Sequence, residues 1–145
     1  MQSLVWTGPN RMEMRETDIP EIGEQDVLLK VQAVGICGSE IEGYLGHNSL
    51  RVPPLVMGHE FSGIVENAGS GVKGLSKGDR VVVNPLISCG VCNQCRKGLV
   101  QLCDKRAIIG IHRPGAFADY VAVPASCVHP IPDSLDFFRA ALTEP

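Results

Sequence analysis

The clearest signal along the chain is alternation. In DVLLKVQAVGIC, Asp26 to Cys37, apolar Val27, Leu29, Val31 and Ala33 are set against Lys30 and Gln32. A period of two predicts a strand with one buried face, here running straight into a cysteine. FSGIVENAGSGV, Phe61 to Val72, reads as a second strand entering a Gly/Ser/Asn turn. GDRVVVNP, Gly78 to Pro85, is a third, ended by proline, and AFADYVAVPA, Ala116 to Ala125, is a fourth. Helical patterning is sparse. SEIEGYLG, Ser39 to Gly46, predicts a short helix weakened by Gly43. SLDFFRAAL, Ser134 to Leu142, predicts another, with Asp133 as its cap, Asp136 three residues on, and Leu135, Phe138 and Leu142 along one apolar side. With 16 glycines and 10 prolines punctuating short apolar runs, the expected fold is mainly β with a few short helices, a barrel or a sandwich. There is no internal repeat, low-complexity tract or composition shift, so residues 1–145 are expected to form a single unit.

Composition narrows the functions open to such a fold. A chain of 145 residues can bury roughly two-thirds of its unfolded surface, so a hydrophobic core needs no disulfide support. Hydrophobic residues make up 44% and charged residues 20%, with a formal net charge of -3; this excludes disorder and a basic nucleic-acid surface. No basic region leads into a sustained apolar run at the amino terminus, and no 18 apolar residues stand together. The expectation is a soluble, cytoplasmic protein without a membrane segment.

In a reducing compartment, six cysteines point to metal ligation or nucleophilic chemistry rather than disulfides. Four lie in SCGVCNQCRKGLVQLC as Cys89, Cys92, Cys95 and Cys103, a CxxCxxCx7C spacing. Short CxxC loops let successive thiolates converge on one tetrahedral zinc ion. The bacterial ferredoxin run differs, with three residues before its last cysteine and a proline after it, where this chain has seven residues and Asp104. Four protein ligands leave no open position, which predicts a structural zinc site.

A second candidate lies in MGHEFSG, Met57 to Gly63, where His59 and Glu60 stand between glycines. A histidine alone beside a strand is as readily structural. Adjacent residues on a regular strand point to opposite faces, so His59 and Glu60 can share an ion only if the backbone is irregular, which Gly58 permits. With the Cys37 thiolate they would form a three-ligand set whose fourth position is free, the pattern of a catalytic zinc.

Together these motifs resemble the zinc-dependent medium-chain dehydrogenase/reductase family. They are Cys37-Gly38-Ser39, Gly58-His59-Glu60 with Gly63, Gly78-Asp79-Arg80-Val81, the four-cysteine loop, and Gly115-Ala116-Phe117-Ala118, in family order over nearly the whole chain. The similarity is to the GroES-like β-barrel catalytic domain, and within the family to the sorbitol and polyol dehydrogenase branch, where Glu144 of LTEP stands in place of a second cysteine ligand.

The resemblance implies a zinc at Cys37, His59 and Glu60 that polarises an alcohol oxygen while a hydride passes to NAD or NADP. It further implies that Ser39 accepts the alcohol proton, that Glu40 fixes the His59 tautomer, and that Glu144 meets the zinc directly or through water. A carboxylate in place of a thiolate would make the metal a harder acid, suited to oxygen-rich substrates. Where many relatives end a proton relay with histidine, this chain has Glu42; His47 is a replacement or an exposed loop residue. His112, His129 and Cys127 receive no role.

No GxGxxG follows a strand, so no residue here is assigned to dinucleotide binding. The expectation is the amino-terminal portion of a longer enzyme, with its Rossmann domain elsewhere, acting on a small alcohol or polyol as a homodimer or homotetramer. The 145 residues alone are expected to bind zinc without oxidising alcohol. Other reductase or lyase chemistry on the same fold, and a zinc-stabilised interaction module, are the alternatives.

Overall fold

The computed structural model describes residues 1–145. In chain order the elements are β1 (Gln2–Gly8), β2 (Arg11–Glu16), β3 (Asp26–Val34), α1 (Gly38–Tyr44), β4 (Leu55–Val56), β5 (Phe61–Ala68), β6 (Arg80–Val83), β7 (Leu86–Ile87), α2 (Asn93–Arg96), β8 (Ala107–Ile108), β9 (Tyr120–Pro124), β10 (Val128–Pro130) and α3 (Phe137–Ala141). The four strands predicted from alternation are β3, β5, β6 and β9. They lie in one antiparallel sheet of order β10-β6-β5-β3-β9. Their inward residues, Val27, Leu29, Val65, Val81, Val83, Val121 and Val123, make one core with Phe61 and Ile109. β-Branched side chains dominate it because they pack well on a pleated surface.

Two smaller sheets accompany this one. β2-β1-β4 carries Trp6, Leu55 and Met57 as a satellite core, and β7-β8 forms the base of the four-cysteine loop. The β1-β2 hairpin escapes the alternation argument because β2 is mostly exposed and β1 mixes polar Ser3 with Val5 and Trp6 on its buried positions.

Three expectations are corrected. β3 ends at Val34 rather than Cys37, and Cys37 instead precedes the first turn of α1. The fourth predicted strand shortens to Tyr120–Pro124 because Ala116 and Phe117 bond to the turn at Gly58 and Met57. The last helix begins at Phe137, and Asp136, not Asp133, caps it by accepting from the Arg139 N–H at 2.9 Å. Its buried face is Ala140 and Ala141, while Phe138 is 77% and Leu142 64% exposed. Small side chains let the helix backbone approach β3 and β5 closely, and that contact overrides the apolar stripe.

Candidate metal centres and active site

The four-cysteine loop is preorganised by its own backbone. Cys89, Cys92, Cys95 and Cys103 bring their sulfurs within 4.8 Å of one another, with Cys89 and Cys95 at 4.0 Å. A tetrahedron of thiolates about 2.3 Å from a common centre has edges of about 3.8 Å, so the spacing fits a zinc-sized ion. Backbone N–H groups donate to these sulfurs, from Cys92 to Cys89 at 3.4 Å, Cys95 to Cys92 at 3.5 Å, and Cys89 and Lys105 to Cys103 at 3.3 Å. Such donors favour thiolate over thiol. The Cys92 thiol is drawn down to about 6, first by the Cys95 N–H and then by the Asp104 N–H. Cys95 is pushed up to about 11 by loss of water and by the neighbouring thiols Cys92 and Cys103. All six cysteines are free.

The second site depends on contacts between distant segments. Gly58 adopts φ +94°, a left-handed conformation in which a side chain is strained, and a Cβ there would meet Phe117 Cδ1 at 2.8 Å. The Gly58 carbonyl accepts from Ala116 N–H at 2.9 Å, and a side chain on Gly115 would collide with that carbonyl. The glycines of the two motifs thus let two turns press together. The irregular turn sends His59 and Glu60, neighbours in sequence, into a common region. Ligand atoms of His59, Glu60 and Glu144 lie within 4.8 Å of one another, as do those of Cys37, Glu40 and His59. His59 belongs to both groups, whereas Cys37 and Glu60 fall in different ones. A side chain on Gly35 would collide with the Glu60 carboxylate, so that glycine keeps the space Glu60 occupies.

Glu40 organises the inner side of this site. Its carboxylate is 2% exposed and takes three donors: His59 Nδ1 at 2.7 Å and Arg51 Nη2 at 2.9 Å on Oε1, and the Cys37 N–H at 3.1 Å on Oε2. An ionised carboxylate only accepts, so His59 donates through Nδ1 and keeps Nε2 as its lone-pair nitrogen. The hydrogen bond to Glu40 raises the His59 pKa against the opposing effect of burial, with the Glu40, Glu144 and Glu60 charges adding to the rise. Glu144 is raised by loss of water first and by the Glu60 and Glu40 charges after it, while His59 opposes the rise.

Of the other expected residues, Ser39 lies in the first turn of α1, its Oγ 3.4 Å from Arg51 Nη2. His47 is exposed and stands 3.2 Å from Glu42 Oε2. His112 Nδ1 accepts from the Ile108 N–H, His129 is exposed on β10, and Cys127 is buried in the core. Sequence reasoning missed Arg51. Nothing in the local pattern of NSLRVPP separates a buried arginine from an ordinary loop residue.

The alcohol dehydrogenase GroES-like domain matches residues 23–133, and the chain belongs to that family, the zinc-type medium-chain alcohol dehydrogenases. It is 39% identical to the L-threonine 3-dehydrogenase of Alteromonas mediterranea over 150 aligned residues, covering 100% of this chain and 44% of that enzyme. Galactitol-1-phosphate dehydrogenase from Escherichia coli superposes with a TM-score of 0.94 at 34% identity, over 98% of this chain and 41% of that one. A cobalt- and zinc-bound thermostable alcohol dehydrogenase from Pyrobaculum aerophilum gives 0.92 at 33%, over 99% and 44%. The mainly β GroES-like fold expected from the motifs is therefore the fold of this chain. The chain spans about two fifths of the length of the curated relatives it matches.

Proposed function

We propose that residues 1–145 act as one GroES-like unit carrying the metal and substrate side of a dehydrogenase that transfers a hydride between a small alcohol or polyol and NAD or NADP. Cys89, Cys92, Cys95 and Cys103 hold a structural zinc. Cys37, His59, Glu60 and Glu144 surround a catalytic one. The observation that carries the reading is the His59 ring, its Nδ1 engaged by Glu40 and the ring itself shared between a group with Cys37 and a group with Glu60 and Glu144. That donor set of one sulfur, one nitrogen and carboxylate oxygens suits zinc, and the carboxylates offset its charge. When bound, zinc supplies Lewis acidity toward a substrate oxygen, and the nicotinamide takes up the hydride.

The chain's own residues do the rest. Glu40 fixes the ring of His59 so that Nε2 faces the site. Ser39 Oγ accepts the proton released by the alcohol and returns it toward solvent. Arg51 donates to that oxygen and leaves the serine O–H free to rotate. The related dehydrogenases act, by their names, on threonine and galactitol 1-phosphate, which supports a hydroxyl flanked by polar groups as the substrate class. A cytoplasmic homodimer or homotetramer belongs to the same reading.

Metal analysis tests it. Two zinc per chain are expected, one lost in Cys37→Ser and the other in Cys89→Ser; one zinc, untouched by Cys37→Ser, would overturn the catalytic assignment. The 145 residues are expected to bind zinc without NAD(P)-dependent alcohol oxidation, since no dinucleotide cradle is present in their sequence. Measurable turnover by them would contradict that division of labour.

A further inference from the structure

Arg51 is a buried charge that the proposed function uses only as a weak donor to Ser39 Oγ. Its side chain has 0% exposure, and it comes from the segment between α1 and β4, where Asn48 Oδ1 accepts from the Leu50 N–H and the Asn48 carbonyl accepts from the Arg51 N–H. That turn aims the side chain back beneath α1. Nη1 donates to the Ser39 carbonyl at 2.8 Å, and Nη2 donates to Glu40 Oε1 at 2.9 Å and more weakly to Ser39 Oγ at 3.4 Å. The path is kept open by Gly43, where a Cβ would meet Arg51 Cδ at 2.5 Å and Nε at 2.9 Å. This explains a glycine at the sixth position of a seven-residue helix, where its propensity is poor. Nε has no partner although it is buried, so the arginine is retained at the cost of an unpaired donor.

A buried carboxylate needs a counter-charge, and a guanidinium supplies one in a planar, oriented form. The geometry points to Arg51 as a positioning residue for the His59 metal centre, binding Glu40 from below so that the same carboxylate oxygen stays on His59 Nδ1. Arg51 touches neither substrate nor any ligand atom; it acts through Glu40, and through the Ser39 carbonyl it holds the turn that carries Ser39. This rests on the metal centre proposed above.

Cobalt(II) titration of the 145-residue chain, read by visible absorption, tests the proposal. A four-thiolate site and a mixed sulfur, nitrogen and oxygen site give different bands, so one sample reports both centres. Arg51→Met is expected to weaken cobalt binding at the His59 centre by about 10–100-fold, the usual effect of removing an outer partner of a ligand, with the four-cysteine bands unchanged. Arg51→Lys should recover part of the loss. In a Glu40→Gln background, Arg51→Met should cost little more, because both act through one carboxylate. Unchanged affinity in Arg51→Met, or a full additional loss in the Glu40→Gln background, would reduce Arg51 to packing and overturn the assignment. If Arg51→Met lost both sets of bands through unfolding, Arg51→Lys would decide: a loss at the His59 centre alone supports the role, and equal loss at both centres overturns it. Absence of the second set of bands in the unaltered chain, with the four-thiolate bands present, would remove the catalytic-metal reading and this proposal with it.

Discussion

At Gly58 the backbone decides whether two adjacent side chains can serve one site. Its φ of +94° and its packing against Phe117 leave no room for a Cβ. Gly58→Ala is expected to destabilise the chain by roughly 1–3 kcal/mol, read as a shift of the urea midpoint, and to lower metal occupancy at His59 more than at the four cysteines. Cys92 supplies a pH prediction. Its thiol lies near 9.0 ordinarily and is drawn down to about 6 in the folded loop, so the folded state favours the thiolate. That contribution is complete above the unfolded value, shrinks as pH falls and is lost through about pH 6. Protonation of the thiolate in the zinc-free loop should follow this window on acidification, measured by the ultraviolet absorbance of the thiolate. Gly43 belongs to the same scale. Read along the chain it only weakens a helix; its purpose becomes visible once Arg51 is seen to pass through the space it leaves.

Among the elements, the last helix shows how position is transmitted. Ser62 Oγ on β5 donates to the Phe137 carbonyl at 2.6 Å, Arg80 on β6 donates to the Leu135 carbonyl, and the Arg80 guanidinium lies 4.1 Å over the Phe137 ring. These contacts tie α3 to the sheet, and α3 leads directly to Glu144. Asp136→Ala removes the helix cap and should cost about 1 kcal/mol, seen in thermal denaturation, with the four-cysteine site unaffected. Local propensity placed this helix three residues early because Asp133 and Asp136 are equally good caps in sequence. The choice falls to Asp136 because the segment before Phe137 is held against β6, a restraint from residues more than fifty positions away. The strands were more legible. β3, β5, β6 and β9 each bury one face, and burial of one face is what a period of two records.

Over the whole molecule, the core of the five-stranded sheet is the main body of buried apolar side chains, with the smaller Trp6, Leu55 and Met57 cluster beside it. Leu29, fully buried among Val65, Val121 and their neighbours, is a site where truncation to alanine should cost about 2–5 kcal/mol. Equilibrium unfolding of zinc-loaded chain would measure it, and both centres should be lost in the same transition if the sheet is their common support. The sequence by itself determined the mainly β character, the motifs that mark the family, and the closed four-cysteine site, because those depend on alternation and on ligands only a few residues apart. Only the tertiary structure decided that Arg51, Glu40 and His59 form a chain across separations of 11 and 19 residues, and that Glu144 comes to Glu60. Periodicity records which face of an element is buried. It carries no record of which distant turns meet, and that meeting is set by strand register and by the glycines that let two backbones touch.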